Sequence, residues 1–371
     1  MLSVVWPLVP FTGLWAHHAS GSEWALALPL LISYGLMPLA DALFGEDENN
    51  PPEAVVAALD ADRYYRWLTW ATVPLHFVAL VGCAAWAGTR ELSWPALLLL
   101  AYVAGADSGL GLNTAHELGH KHNRWEQWLA RLALAVPAYG HFTVEHGRGH
   151  HRWVATPEDH ASARMGESIY RFALRELPGG IRRAWALEGE RLRAAGHWRW
   201  SWHNTMLQSY AVTLGLQGGL VAAFGARMLP FLAVHNLVAW WQLTSANYVE
   251  HYGLLRRREG GGAYEPPQPH HSWNTNHLVT NLATFHLQRH SDHHAHPSRR
   301  YQCLRHFPDL PQLPSGYFGM FPLAYVPPLW FRVMDPRLMA LPQVRGDLAR
   351  VNVDPAARSR LQARWGRAAA G

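Results

Sequence analysis

Three short stretches of this chain carry histidines at helical spacing. His116-Glu117-Leu118-Gly119-His120 sets two imidazoles four residues apart. Glu145-His146-Gly147-Arg148-Gly149-His150-His151 repeats the interval and adds a third ring, and His290-Ser291-Asp292-His293-His294 uses intervals of three and four. Residues three and four apart share one face of a helix, so each stretch can turn its rings toward one ion. A fourth stretch, Asn247-Tyr248-Val249-Glu250-His251, adds His251. One such pair is as common on a hydrogen-bonded helix face as in a site. Several together would crowd imidazoles with nothing to hold them. Nine donors exceed the positions of one octahedral ion, so the arithmetic asks for two metals. Imidazole suits zinc, copper, iron and nickel alike, and spacing does not choose among them. Glu117, Glu145, Asp159, Glu250 and Asp292 lie close enough in sequence to accept the free imidazole N–H groups.

The chain has 371 residues, 24 of them histidine and two cysteine. Eighteen of the histidines fall within 116–160 and 251–306, so the clustering is not a matter of overall composition. Two cysteines exclude a disulfide scaffold or a cysteine-rich metal site. With 49% apolar residues the chain is no solvated disordered polymer. His76 and His235 stand singly in apolar runs and read as hydrogen-bonded packing. His270, His271, His277, His286 and His296 are candidates to support ligands rather than to be ligands. Asp107 is the one charge in 92–116 and is expected to be functional, unless Asn113, Ser108 or water satisfies it.

The elements that must carry these residues are apolar. Mean hydropathy is near zero, yet 67–89 and 228–249 hold no charge and 1–40 hold only Glu23. Crossing about 30 Å of hydrocarbon takes roughly 20 helical residues. The expectation is an all-α integral membrane protein of six spans, at about 3–19, 24–43, 67–88, 93–117, 203–225 and 228–250. Residues 310–331 are uncharged but hold five prolines, and 132–144 are too short, so neither is expected to cross. Of 32 Lys and Arg residues, only Arg90 and Arg227 fall in the loops on the far side. The positive-inside rule then makes both termini, 120–202, 251–340 and the histidine motifs cytosolic. Residues 1–340 read as one membrane catalytic domain and 341–371 as a cytosolic tail or linker. No cleavable leader pattern is evident at Met1. The basic face suits anionic lipid or an acidic protein, and no nucleic-acid module is present.

The motifs HELGHKH (116–122), EHGRGHHRWVATPED (145–159), NYVEHYGLL (247–255) and LQRHSDHHAHP (287–297) resemble those of the bacterial membrane-bound alkane 1-monooxygenases. These belong to the histidine-box desaturase and hydroxylase superfamily. The likeness runs from about residue 3 to 340 and is supported by FGEDENNPPE, WWQLTSANY and HHSWNTNH. It implies a six-span, non-haem di-iron enzyme of the bacterial cytoplasmic (inner) membrane that uses O₂ to hydroxylate terminal carbons of medium and long n-alkanes. The implied iron ligands are His116, His120, His146, His150, His151, His251, His290, His293 and His294. How they divide between the irons the motifs do not say. His160 and Asp107 depart from the usual pattern, away from all nine.

An alkane entering from the bilayer has no polar handle, so selection must be by shape in an apolar channel. Leu110 and Leu112, ahead of the ligands, are expected to flank it. Ser33 is small where a bulkier residue would block the far end, unless it only bonds its own helix backbone. The resemblance also implies electrons from rubredoxin, an acidic protein served by an NAD(P)H-dependent reductase. Cys83 and Cys303 form no Cys-X-X-Cys pair for a built-in one. Arg256, Arg257, Arg258, Arg299 and Arg300 are the expected docking surface. The competing readings are a fatty-acyl desaturase or another hydroxylase, an intramembrane HExxH zinc protease, and a membrane metal transporter. The His251 motif weighs against the first, six unexplained histidines against the second, and ligands at helix ends against the third.

Overall fold

In the computed structural model, which describes residues 2–366, every regular element is a helix. Among the described residues only isolated bridges, and no strand, join the segments. The Ala-Ala-Ala-Gly end lies outside the described residues.

Three helices are long and apolar enough to cross a membrane: α2 (Glu23–Phe44), α3 (Arg63–Thr89) and α4 (Trp94–Gly119). Ahead of them, the expected first span is interrupted. Pro7 and Pro10 break 2–20 into short turns followed by α1 (Pro10–Ser20), because each proline removes a backbone donor. The lone charge of this region, Glu23, has a structural task. Its carboxylate accepts from Ser93 N at 2.7 Å, tying the start of α2 to the start of α4. Asp62 caps α3 through Tyr64 N and Ser93 caps α4 through Ala96 N. Trp24, Leu31, Leu43 and Phe44 of α2 stand exposed, an apolar face that water would not tolerate but lipid would. α4 is the most enclosed of the three, with 61% of its apolar window buried against 22% for α2.

The remaining long helices are the amphipathic α6 (Ile169–Ala194), with α5 (Arg124–Ala135) before it, and the pair α7 (Thr205–Phe224) and α8 (Met228–His251). The last two carry more polar side chains, and Gln217 of α7 and Asn236 of α8 satisfy each other at 2.9 and 3.1 Å. α4 and α8 touch along a glycine seam. A methyl group on Gly109 would lie 2.4 Å from Gln242 Cβ, and one on Gly105 would lie 2.5 Å from His235 O. Small residues four apart are what allow two helix backbones to approach this closely.

Beyond the ends of α4 and α8 lies a second core, built around Tyr248, Tyr252, Trp273 and Trp330. The proline-rich 310–331 contributes α10 (Tyr317–Ala324) and the start of α11 (Pro327–Ala340); α9 (His290–Ala295) precedes them. Part of 341–366, the segment expected to be a cytosolic tail or linker, packs against this core. Val344, Val351 and Ala357, together with Leu361 of α12 (Arg358–Trp365), are buried in this core. The apolar residues spaced through an otherwise charged segment account for that docking.

Candidate metal centre

The histidines arrive from four backbone contexts. His116 and His120 end α4, where the helix stops, and His251 is the last residue of α8. His290, His293 and His294 fill the short α9. The second motif is not an ordinary helix. His146–His150 is a π-turn, in which the amide of His151 reaches back five residues to His146 O. In such a turn residues five apart, rather than four, stack on one side. His146 and His151 accordingly bring their Nε2 atoms to 3.0 Å, and His150 is left facing another way. Gly149 permits the turn to sit here, since a Cβ would lie 2.7 Å from Arg183 Nε.

The result is two abutting groups. His116, His120, His146, His151 and His293 present ring nitrogens within 4.8 Å of one another, and so do His150, His251, His290 and His294. In the second group His290 Nε2 is 3.2 Å from His251 Nε2 and 3.0 Å from His294 Nε2. The rings of His151 and His294 stack at 4.4 Å between the groups. The inward nitrogens of His116, His120, His150 and His293 are buried without any hydrogen-bond partner. Buried polar atoms are rarely left unpaired. Two imidazole nitrogens at right angles on one ion, each about 2.1 Å away, stand about 3 Å apart. The donor chemistry, the spacing and the unpaired atoms all fit a pair of metal ions.

Electrostatics point the same way. Burial, reinforced by neighbouring imidazoles, holds His120, His146, His151, His290, His293 and His294 well below the usual histidine range, so they are neutral and have lone pairs to give. His150 is the exception. Burial would lower it, but the Asp159 carboxylate at 2.9 Å outweighs that and raises it. Burial would likewise raise Asp159; His150 and Arg183 overcome it and hold Asp159 far below its ordinary value. Asp159 is itself fixed by Arg183 at 2.7 Å and Ser162 at 2.7 Å. His251 donates through Nδ1 to His271 O at 3.3 Å. These outward bonds leave Nε2 of His150 and His251 facing the group.

The other carboxylates have different partners. Glu250 lies 3.3 Å from His290 Nε2 and accepts from the Tyr317 hydroxyl at 2.8 Å. Glu145 pairs with Arg183, Glu117 with Lys121 at 3.0 Å, and Asp292 with Arg299 at 2.8 Å and Arg305 N at 3.0 Å. None of those three accepts from an imidazole. Arg183 and Tyr317 were not legible as site residues, since each reaches its partner from a helix remote in sequence. Several other histidines are hydrogen-bonded packing: His141 bonds Tyr210, His235 bonds Ser108 and His17 bonds Trp86.

Both groups open onto an apolar cavity running down between the long helices. His116, His146 and His290 form its polar end, and Leu110, Phe142, Leu243 and Phe318 line its sides. Ser33 lies on its wall and also donates to Pro29 O at 2.9 Å. Leu112 does not flank the cavity. It is buried among Val73, Leu118 and Leu129, because two residues of helix turn it about 200° from Leu110.

The five arginines do not form one surface. Arg256 is buried and bonds Glu265 O and Arg152 O; Arg300 is buried against Glu126 at 2.8 Å; Arg299 is held by Asp292. Only Arg257 and Arg258 reach the surface. There they border a broad open cleft with Arg345 and Arg350.

Residues 92–324 match the family model for fatty acid desaturases. The alkane 1-monooxygenase of Ectopseudomonas oleovorans is 52% identical over all of this chain and 92% of its own length. Alkane 1-monooxygenase 1 of Alcanivorax borkumensis is 51% identical over 99% of this chain and 90% of its own. The hydroxylase component of a xylene/toluene monooxygenase from Pseudomonas putida is 30% identical over 70% of this chain and 68% of its own.

Proposed function

This chain belongs to the fatty acid desaturase family and, within it, to the alkane 1-monooxygenases, and from that premise we propose that it hydroxylates the terminal carbon of medium and long n-alkanes at a di-iron centre. The reaction is R–CH₃ + O₂ + 2e⁻ + 2H⁺ → R–CH₂OH + H₂O. One observation carries the reading: two abutting groups of enclosed histidines, several with inward nitrogens that have no partner, face a largely apolar cavity whose one acidic lining residue is Glu250. Full-length relatives named as monooxygenases favour this over the desaturase alternative.

In this reading His116, His120, His146, His151 and His293 hold one iron, and His150, His251, His290 and His294 the other. When bound, the iron pair supplies the reduction of O₂ and the oxidising power that breaks a C–H bond. The chain supplies position. Leu110, Phe142, Leu243 and Phe318 accept the alkyl chain by shape and exclude water from the reacting end. Asp159 and the His271 carbonyl orient His150 and His251. Glu250, held by Tyr317, stands beside His290 as a further ligand or as a carrier of a proton. If Ser33 limits the channel, Ser33→Trp shortens the longest alkane accepted; an active variant with an unchanged chain-length profile counts against it.

The setting we propose is the bacterial cytoplasmic membrane, crossed six times, with 1–340 as one catalytic domain, both termini and the histidines cytosolic, and alkane entering from the bilayer. Rubredoxin, reduced by its NAD(P)H-dependent reductase, delivers the electrons one at a time. The docking surface is narrower than the sequence implied: Arg257 and Arg258, with Arg345 and Arg350 across the cleft. Charge-reversing both Arg257 and Arg258 lowers rubredoxin-driven turnover about tenfold at low salt and less at high salt, as expected for charge steering. A salt-independent loss rules out that surface.

The decisive test is metal analysis of the purified protein in lipid nanodiscs, with octane turnover to 1-octanol on added rubredoxin and reductase. Two irons per chain and octanol are the expected result. One zinc and no product overturn the reading.

A further inference from the structure

The segment between α6 and α7 reads His197-Trp198-Arg199-Trp200-Ser201-Trp202-His203, with tryptophan at every second position. Trp198, Trp200 and Trp202 are 70%, 51% and 63% exposed. Indole rings are large apolar surfaces, and three of them side by side in water are unfavourable. The exposure does not come from a loose loop. Asn204 donates to Arg199 O at 2.8 Å, Gln208 to Trp202 O at 2.8 Å and Arg191 to His203 O at 2.7 Å. The rings of His197 and His203 stack at 3.7 Å and close the loop at its base.

α5 continues this surface. It runs beside the first turns of α7 in the same direction, as Ser209 donates to Arg131 O, Thr213 to Ala135 O and Gln217 to Val136 O. That register sets Trp125 and Trp128, exposed on one face of α5, level with the loop. Arg131, next on the same face, folds its guanidinium back over the Trp128 ring at 4.7 Å. Charge here is one-sided. Over 124–131 and 188–204 the acids are Glu126, Glu188 and Glu190. Glu126 is buried against Arg300, and Glu188 against Arg148 and Arg191. Among the described residues, Arg124, Arg131, Arg193 and Arg199 pair with no carboxylate.

α7 follows at once, 20 residues without a charge. In the six-span setting proposed above, on which this inference rests, its start marks the cytosolic edge of the hydrocarbon. Tryptophan settles at that edge, and arginine beside it is drawn to lipid phosphate. Ser209 lies about 6 Å inside α7, so Arg131 at its level sits just within the edge and reaches back out of it. We infer that the 197–203 loop and the Trp125–Arg131 face of α5 form a binding surface for anionic phospholipid headgroups, with Arg131 and Arg199 selecting the charge. A leaflet of such lipid supplies both the negative charge and the layer that covers the indoles. An acidic protein supplies mainly the first.

The test uses the full-length enzyme in nanodiscs of equal parts phosphatidylglycerol and phosphatidylcholine. The protein is moved to mild detergent, and the lipids that stay bound are counted by native mass spectrometry. Wild type retains phosphatidylglycerol over phosphatidylcholine about tenfold, and Arg131→Gln with Arg199→Gln brings that ratio close to one. Lysine at both positions holds it within about threefold of wild type, because charge rather than arginine packing sets it. Arg332→Gln, at an exposed position of α11, leaves it unchanged. Should the double variant fail to fold, Arg199→Gln alone lowers the ratio about threefold. Equal retention of the two lipids by wild type, or a preference that the double variant keeps, overturns the inference. So does an unchanged preference with a raised KM for rubredoxin, which would make this face a protein dock. A chain that stays monodisperse in water without detergent sinks the membrane setting itself. One that needs detergent but shows no lipid preference sinks this inference alone.

Discussion

The two histidine groups lie side by side but are held differently. In the four-histidine group, His150 is braced by Asp159, His251 by the His271 carbonyl, and Glu250 faces His290. Among the described residues, none of the five other histidines donates its outer nitrogen to a carboxylate or a carbonyl. That group has an additional ring instead, and the Phe142 ring stacks on His146 at 4.9 Å. On the proposed di-iron reading, one metal position would be secured by orientation and the other by ligand number. A site with few donors must hold each in its correct tautomer and direction, whereas a site with a donor to spare can let packing do so.

Removing ligands should break this symmetry most. His251→Ala leaves three histidines on its side and should lose one iron per chain and more than about a hundredfold in turnover, since loss of a mere outer partner costs roughly 10–100-fold in metal affinity. His120→Ala leaves four on its side and should retain both irons, with turnover down about tenfold. Iron content and octanol formation measure both; equal losses would show that the extra ligand gives no reserve. A smaller effect tests the bracing. Asp159→Ala should weaken one iron of the two by about 10–100-fold. Glu117→Gln, whose native partner is Lys121 rather than a histidine, should leave both in place. Metal retention during graded chelator treatment separates them.

The smallest effect concerns the helix that presents His251. Glu176 of α6 accepts from Thr244 at 2.8 Å and Asn247 at 3.2 Å, one to two turns ahead of that ligand. Burial raises its carboxyl to about 7. The folded protein therefore holds a proton here that the unfolded chain, near 4.5, releases. Stability on this account falls as pH rises from about 4.5 through 7 and is level above, a loss on the order of 3 kcal/mol. Glu176→Gln should flatten that slope in thermal unfolding between pH 5 and 8. An unchanged slope would mean the charge is accommodated.

All nine histidines that meet in the site could be picked out from sequence, because ligand spacing on a helix is local. Their sorting could not. His150 and His151 are neighbours in the chain yet belong to different groups, and the π-turn decides that His151, not His150, joins His146. Long helices were likewise legible as apolar runs, while the breaks at Pro7 and Pro10 depended on how the runs pack. Leu112 was a misreading that helical period alone could have caught. The arginines mark a harder limit. Counting charge located them, but whether Arg300 meets solvent or Glu126 is decided by residues 174 positions apart.

The π-turn at His146–His150 shifts register by one residue: it is a helical turn that holds one residue more than an α-turn would. Without it, residues four apart would align, and His146 and His150 would turn to the same ion. With it, His150 is released to a second partner set. One residue of helical register therefore decides whether this stretch faces a single histidine group or is shared between two.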